Sequence, residues 1–453
     1  MRKTGGVLIV LWLAVLATAG LHAGPSAARG PERTMSSDLV VDGGRQSGAP
    51  VRGRRTQRPG RPRPTGDDPS TSVRVARSED EVEALRPEWE ALQGAALHSD
   101  IDFFLTYARN APGMLRPHVV LVERDGSPLA LVVGRLEEGP VPARLGYKTV
   151  FSPELRTLTI VYGGILGAGD NGHTGLVLES LQGTIDPGEL ELVRVRGLTP
   201  GSTLEVEASE RASRVRRERF ARATAHWRSA LPGSLDEFLA KRKKKVRWQA
   251  RKDAQLADAY GDDLEVRVCR DPADLEQLFE DTGRVHRLTY QGALGVGFSD
   301  GPLNRALTAF TMRKGWFRGY VLYLRGTPVA FWHGNAYNGT FGLGPTGFDP
   351  AYGDDRPGGY LLMRLIGDLC EDEGVHTFDF GFGDATYKRQ LGDVCRTERD
   401  LVVFAPRLRP FAVNVARNAV HGVTHAGRAV LAGNRVDDLK RRWRSRLALR
   451  KLS

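Results

Sequence analysis

One short pattern occurs twice in this chain, first at His118 and again at Gly319, and it restricts the possible folds more than any other feature. His118-Val-Val-Leu-Val-Glu-Arg-Asp-Gly-Ser-Pro-Leu-Ala-Leu-Val-Val reads as two strands around an Arg-Asp-Gly-Ser-Pro turn. Gly319-Tyr-Val-Leu-Tyr-Leu-Arg-Gly-Thr-Pro-Val-Ala-Phe-Trp reads as the same hairpin. In both, proline sits early in the second strand, where a missing N–H is tolerated. The surroundings repeat too. Helical patterns over Glu79–Leu92 and Asp102–Arg109 precede the first hairpin, and over Pro272–Leu288 and Pro302–Lys314 the second. Each hairpin leads to a strand (Leu158–Tyr162; Thr340–Leu343), a glycine-rich loop, a helix (about His173–Leu181; about Gly359–Glu373) and a further strand (Glu191–Val195; Thr377–Phe380). Two α/β domains of one mixed-sheet design follow, with helices flanking each sheet.

At 453 residues, two domains plus flanking segments is the natural division. The expected bounds are 73–230 and 231–406. Before them lies a linker at 35–72, poor in apolar residues and rich in Gly, Pro, Arg and Ser. Residues 1–34 read either as a signal peptide or short anchor, from the apolar stretch Val7–Leu16 after Arg2 and Lys3, or as an extension ahead of a true start at Met35. A basic helical tail follows at 407–453. A mean hydropathy of −0.33 argues against a multi-spanning membrane protein. Cys269, Cys370 and Cys395 are far apart, so no disulfide framework or structural zinc site is indicated, and no metal is expected. The expected location is cytoplasmic, with membrane association through the tail.

The net charge of +11 favours anionic partners. Much of it lies in three runs: Arg45–Arg74, Lys241–Lys252 and Lys440–Lys451. The middle run, with Trp248 interleaved, reads either as a phosphate- or nucleic-acid-binding helix or as a solvated helix face. The tail from Val413 reads either as an amphipathic helix for an anionic membrane or as a plain helical extension.

Two G-x-G-x-x-G matches, Gly167–Gly172 and Gly342–Gly347, fail as dinucleotide sites. The strand after the first ends in Arg194-Val-Arg196 without a carboxylate for a ribose, and Phe348-Asp-Pro after the second starts no helix. The block Gly347-Phe-Asp-Pro-Ala-Tyr-Gly-Asp-Asp-Arg-Pro-Gly-Gly-Tyr-Leu-Leu carries more chemistry. Arg356 precedes Gly358, Gly359 and Tyr360 at a helix start, where free N–H groups and the helix dipole favour an anion. The same spacing also suits an ordinary loop–helix connection. Downstream, a strand carries Asp379 and ends in glycines in Phe378-Asp-Phe-Gly-Phe-Gly, and Asp384, Tyr387 and Lys388 sit in the turn and the start of the next helix. Such a set can move protons and hold an anion, or cap a helix with Asp384 and leave Lys388 solvated.

The stretch 243–392 resembles the GNAT-like acetyltransferase family annotated around the cellulose-biosynthesis protein CelD, a relative of the Fem-type aminoacyl transferases. The matching pieces are the basic helix from Lys243, the helix Leu275…His286-Arg287, the Arg325-Gly-Thr-Pro-Val-Ala hairpin, Gly347-Phe-Asp-Pro and Gly383-Asp-Ala-Thr-Tyr387-Lys388. Leu85-Arg-Pro-Glu-Trp-Glu-Ala-Leu and Tyr162-Gly-Gly extend the likeness to about 75–405. The resemblance implies a tandem duplicated GNAT-like (acyl-CoA N-acyltransferase) fold. It also implies acyl transfer from acyl-CoA (acetyl-CoA) as co-substrate to an amine or hydroxyl, in cell-envelope or polysaccharide metabolism, with no bound cofactor. Fem-type relatives take aminoacyl-tRNA instead, a less favoured partner here. The expected acceptor is a small molecule or glycan precursor. The family's pyrophosphate loop is only approximated by Arg356-Pro-Gly-Gly. In this scheme Arg356, Gly358, Gly359 and Tyr360 hold the donor, and His286 and Arg287 line the acceptor cleft. Asp379 or Asp384 takes the acceptor's proton, Tyr387 returns one to the leaving group, and Lys388 stabilises the oxyanion. A rival reading is a non-catalytic double-GNAT scaffold.

Overall fold

Both hairpins turn through two consecutive left-handed residues: Asp125 and Gly126 at φ 51° and 75°, Arg325 and Gly326 at φ 51° and 72°. That pair of angles matches the twist of the flanking strands, and glycine at the second position adopts it without strain. The computed structural model describes residues 70–145, 148–167, 172–221 and 223–430. The expected 1–34 extension, nearly all of the linker, and the tail past residue 430 lie outside the described residues.

The first half runs β1 (Thr71–Ala76), α1 (Glu79–Glu83), α2 (Arg86–Leu92), α3 (Ile101–Asn110), β2 (Met114–Arg124) and β3 (Ser127–Pro140). A small hairpin, β4 (Ala143–Leu145) and β5 (Lys148–Phe151), precedes β6 (Glu154–Leu166), α4 (Thr174–Thr184), β7 (Leu192–Leu198), α5 (Thr203–Arg211) and β8 (Thr224–Ala230). The second half runs α6 (Leu235–Ala240), α7 (Lys244–Tyr260), β9 (Leu264–Cys269), α8 (Leu275–Leu288), α9 (Tyr290–Ala293) and α10 (Pro302–Arg313). It continues through β10 (Phe317–Leu324), β11 (Thr327–Tyr337), β12 (Thr340–Phe348), α11 (Pro357–Cys370), β13 (Thr377–Phe382), α12 (Thr386–Leu391), β14 (Val394–Phe404) and α13 (Leu408–Val430). The single helix expected over Glu79–Leu92 is two. Pro87 lies in the first turn of α2, where its missing N–H costs nothing, and it cannot extend α1.

The hairpins occupy equivalent positions. Register slips between Val122 and Glu123 in one and between Leu322 and Tyr323 in the other, so that Pro128 and Pro328 face the residue after the slip. One strand further on, β3 slips against β6 between Val132 and Gly134, and β11 slips against β12 between Trp332 and Gly334. β6–β7 and β12–β13 are then parallel. The duplication therefore extends to the irregularities.

All twelve main strands share one sheet, in the order β1-β2-β3-β6-β7-β14-β8-β13-β12-β11-β10-β9. The last strand of each half has changed places. β8, made before the second half begins, pairs with β13, while β14, made last, pairs with β7. The exchanged strands also pair with each other, Val394–Glu398 against Thr224–Arg228. A second link joins helices over the sheet: Lys314, just after α10, pairs with Asp102 of α3 at 2.7 Å, and Phe103 meets Phe310 edge-on at 6.3 Å. Cores of buried aliphatic and aromatic side chains lie on both sheet faces. Among the described residues no helix is long and apolar enough to cross a membrane.

Because each half's sheet needs a strand from the other, fragments 71–230 and 231–430 made separately are expected to lack cooperative unfolding. Mixed or co-expressed, they are expected to regain it and to co-elute on size exclusion, as circular dichroism and chromatography would report.

Candidate active site

β12 and β13 pair over only three residues, ending at Gly342 opposite Asp379, although β12 continues to Phe348. The separating strand ends frame the candidate site. Past Asp379 the chain turns through Gly381 and Gly383, at φ 67° and 105°, into α12. Lys388 of α12 is buried and spans that turn, donating to the Gly381 carbonyl at 3.2 Å and the Phe382 carbonyl at 2.8 Å. Burial pulls its pKa below the ordinary lysine value, with Asp379 partly offsetting this.

Asp379 is saturated. Its carboxylate accepts from His226 Nε2 at 2.5 Å, Arg228 Nε at 2.9 Å and the Gly381 amide at 2.8 Å. Burial pushes its pKa up, but the His226 bond and the neighbouring cations outweigh it and hold the carboxyl below its usual range. His226 is bracketed on its other side, where Nδ1 lies 3.1 Å from Glu398 Oε1. Burial would lower the imidazole pKa, yet the bonds to Asp379 and Glu398 push it up to about 9. At neutral pH His226 is thus an imidazolium donating from both nitrogens. Tyr162 of β6 closes the cluster, 3.4 Å from both His226 Nδ1 and Glu398 Oε1. Its ring lies against Gly197, where a Cβ would sit 2.3 Å from it. These residues come from β6, β8, β13 and β14, so the cluster lies at the exchanged strands.

Tyr387 packs between Trp332 and Phe380, with centroids 5.7 and 6.3 Å away. Burial, with Tyr290 adding to it, raises the phenol's pKa, so it stays protonated. The Trp332 indole donates to the Gly358 carbonyl at 3.0 Å and so ties Tyr387 to the start of α11. Arg356 caps that helix from a left-handed conformation at φ 57°. Its Nε donates to Asp253 of α7 at 2.8 Å, and a Cβ on Gly359 would meet the Asp253 carboxylate at 2.7 Å. The positive helix end thus already has an internal carboxylate beside it. Tyr360 packs against the second half's core.

The structure therefore gathers Asp379, Tyr387, Lys388, Arg356, Gly358 and Gly359 around Trp332 and the end of β13. Asp384 is exposed and paired with Arg389 at 2.7 Å. His286 is buried on α8 beside Phe298, 6.0 Å between rings, and Arg287 next to it is exposed. The basic run divides. Arg242 is buried, bonded to Ser229 at 2.6 Å and paired with Asp393, whereas Lys243, Lys244, Lys245, Trp248, Arg251 and Lys252 are exposed. Sequence reasoning missed His226, Glu398, Tyr162 and Asp253. The available signal was Thr224-Ala-His-Trp-Arg-Ser-Ala, which puts His226 and Arg228 on one strand face. Among the described residues no group of three or more His, Cys, Asp or Glu is arranged for a metal ion, and all three cysteines are free.

The acetyltransferase (GNAT) domain family matches residues 241–389, from the basic helix to α12. No curated protein matches the chain. Among solved structures, FemX is similar at 9% identity with a TM-score of 0.50, over 74% of this chain and 97% of FemX. A tandem GNAT protein from the clavulanic acid biosynthesis pathway is similar at 13% identity, TM-score 0.43, over 75% and 100% of the two chains. The C-terminal domain of a putative lysylphosphatidylglycerol synthetase from Agrobacterium fabrum is similar at 14% identity, TM-score 0.43, over 76% and 97%. The fold is the tandem GNAT-like fold, and residues 241–389 carry an acetyltransferase-type domain.

His226 makes stability depend on pH with a definite sign. Its raised pKa contributes fully below the unfolded value near 6.5 and is lost as pH rises through about 9. Denaturant unfolding is expected to show stability falling by up to about 3 kcal/mol over that window. His226→Gln is expected to abolish the slope and to lower stability at pH 7 by roughly 3–5 kcal/mol, the cost of leaving buried carboxylates unpaired.

Proposed function

We propose that the chain transfers an acyl group from an activated donor to an amine or hydroxyl, at the opening between β12 and β13. One observation carries this reading: the parallel pair ends at Gly342 and Asp379, inside the matched domain, with the α11 start and Tyr387 at its mouth. The acceptor attacks the donor's acyl carbon and gives up its proton to solvent water, which later restores the proton spent by the acid, while the leaving group needs a proton as its bond breaks. Tyr387, kept protonated by burial, supplies it. Asp379, held ionised by three donors, is a poor proton acceptor. It acts through charge, orienting His226 and Arg228 and fixing the Gly381 turn. Lys388 braces the same turn, so its part in this reading is positioning, in place of oxyanion binding.

Acyl-CoA is the proposed donor and a glycan precursor of the cell envelope the proposed acceptor, in line with the CelD-like resemblance. Aminoacyl-tRNA is a second reading, favoured by two observations. Asp253 already lies at the α11 start where a diphosphate would dock, and α7 exposes three lysines, Arg251 and Trp248 close by. Turnover measured with acetyl-CoA and with charged tRNA separates the two. With acetyl-CoA, a Lys243→Gln/Lys244→Gln/Lys245→Gln variant is expected to stay near wild-type rate. With tRNA it is expected to lose activity with a reduced salt slope. Absence of binding to either donor would favour the scaffold reading.

Tyr387→Phe is expected to lower kcat by on the order of 100-fold with an unchanged thermal midpoint. Lys388→Ala is expected to lower activity and also stability, by about 1–3 kcal/mol, since two carbonyls lose their buried donor. Full activity in the tyrosine variant would remove Tyr387 from the mechanism.

A further inference from the structure

We propose that α13 is a membrane-docking helix, which lays an apolar face on an anionic bilayer beside a basic C-terminal run. The helix turns its polar side inward. Asn414 donates to the Val215 carbonyl at 2.9 Å, Arg417 pairs with Glu218 at 3.0 Å, and His421 lies 2.7 Å from the same carboxylate. Val420 is buried on that side, and Val413 packs against the cluster of Val402 and Phe404. These anchors fix the rotation of the helix about its axis, so its opposite side is committed to solvent.

That opposite side is apolar, the reverse of an ordinary surface helix. Leu408, Phe411, Ala412, Val415, Val423 and Ala426 recur at helical spacing within about a third of the circumference. All six are exposed. The larger four are 86% (Leu408), 43% (Phe411), 37% (Val415) and 63% (Val423) exposed. Phe220, also exposed, lies against Gly422 and continues the patch. An uncharged stripe of this length marks an interaction surface. The sequence beyond it selects the partner. Residues 431–453 hold eight Lys or Arg against two Asp, so an anionic surface is favoured, and self-association would bring like charge together. Nucleic acid, the other common polyanion, has no apolar layer to cover Leu408 and Phe411. A bilayer supplies both chemistries: acyl chains for the stripe and acidic headgroups for the basic run. Each signal alone gives marginal binding, and the two together give stable docking in the interface. α13 lies outside the matched domain at 241–389, so this surface stands independently of the transferase reading.

The test sediments the full chain with phosphatidylcholine vesicles containing about 30% phosphatidylglycerol and, separately, with phosphatidylcholine alone. The chain is expected to bind the anionic vesicles, and the neutral ones roughly tenfold more weakly. Leu408→Glu/Val423→Glu alters only exposed positions. It is expected to weaken anionic-vesicle binding roughly tenfold or more, with an unchanged thermal midpoint. Arg441→Gln/Arg442→Gln/Arg444→Gln is expected to weaken it by a similar factor and to flatten its salt dependence. No sedimentation with anionic vesicles, or undiminished binding in either variant, would overturn the proposal. A dimer by light scattering that Leu408→Glu/Val423→Glu splits, without vesicle binding, would also overturn it and assign the stripe to a second copy.

Discussion

His226 stands between two buried carboxylates from strands far apart in sequence, Asp379 on β13 and Glu398 on β14, and is itself on β8. A buried cation with good hydrogen bonds on both sides adds little over a well-packed apolar core, but removing it strands two charges. Its main consequence is therefore specificity. The exchange of β8 and β14 buries those carboxylates, and His226 with Arg228 satisfies them only in that arrangement. Arg242 does similar work at the next turn, joining Ser229 of β8 to Asp393 just ahead of β14. The two halves are thus committed to one sheet.

The same contact fixes the end of β13. With Asp379 held, the glycine turn is braced from below by Gly381 N–H and from above by Lys388, and α12 carries Tyr387 onto Trp332 and the α11 start. The halves have diverged at this level. In the first, Tyr162 lies against Gly197 of β7 and bonds into the His226 cluster. In the second, the opening strand offers Gly342, Gly344 and Gly347. Local side-chain choice has made one copy a brace and left glycines along the corresponding strand of the other.

Much of this was legible in the sequence. The hairpins, the helices before them and the parallel strands after them appear where periodicity and turn residues put them, because each depends on neighbours close in sequence. The helix start at Arg356 and the polar end of β13 were visible for the same reason. The exchange of β8 and β14 was not, since Thr397-Glu-Arg-Asp reads as an exposed charged strand unless His226 is known to face it. Nor was Asp253, which sits in a basic helix and looks like an ordinary surface acid until α7 packs on α11. Arg242 was grouped with its solvated neighbours although it is an internal anchor. In each case the deciding partner lies a hundred or more residues away, beyond the reach of local pattern.

The account turns on a charged imidazole at the strand exchange, and nitrogen-15 NMR of His226 reads that directly. Both ring nitrogens are expected to carry the protonated signature at pH 7.5, with a titration midpoint near 9. A neutral tautomer at pH 7.5, or a midpoint at or below the ordinary histidine value near 6.5, would contradict it.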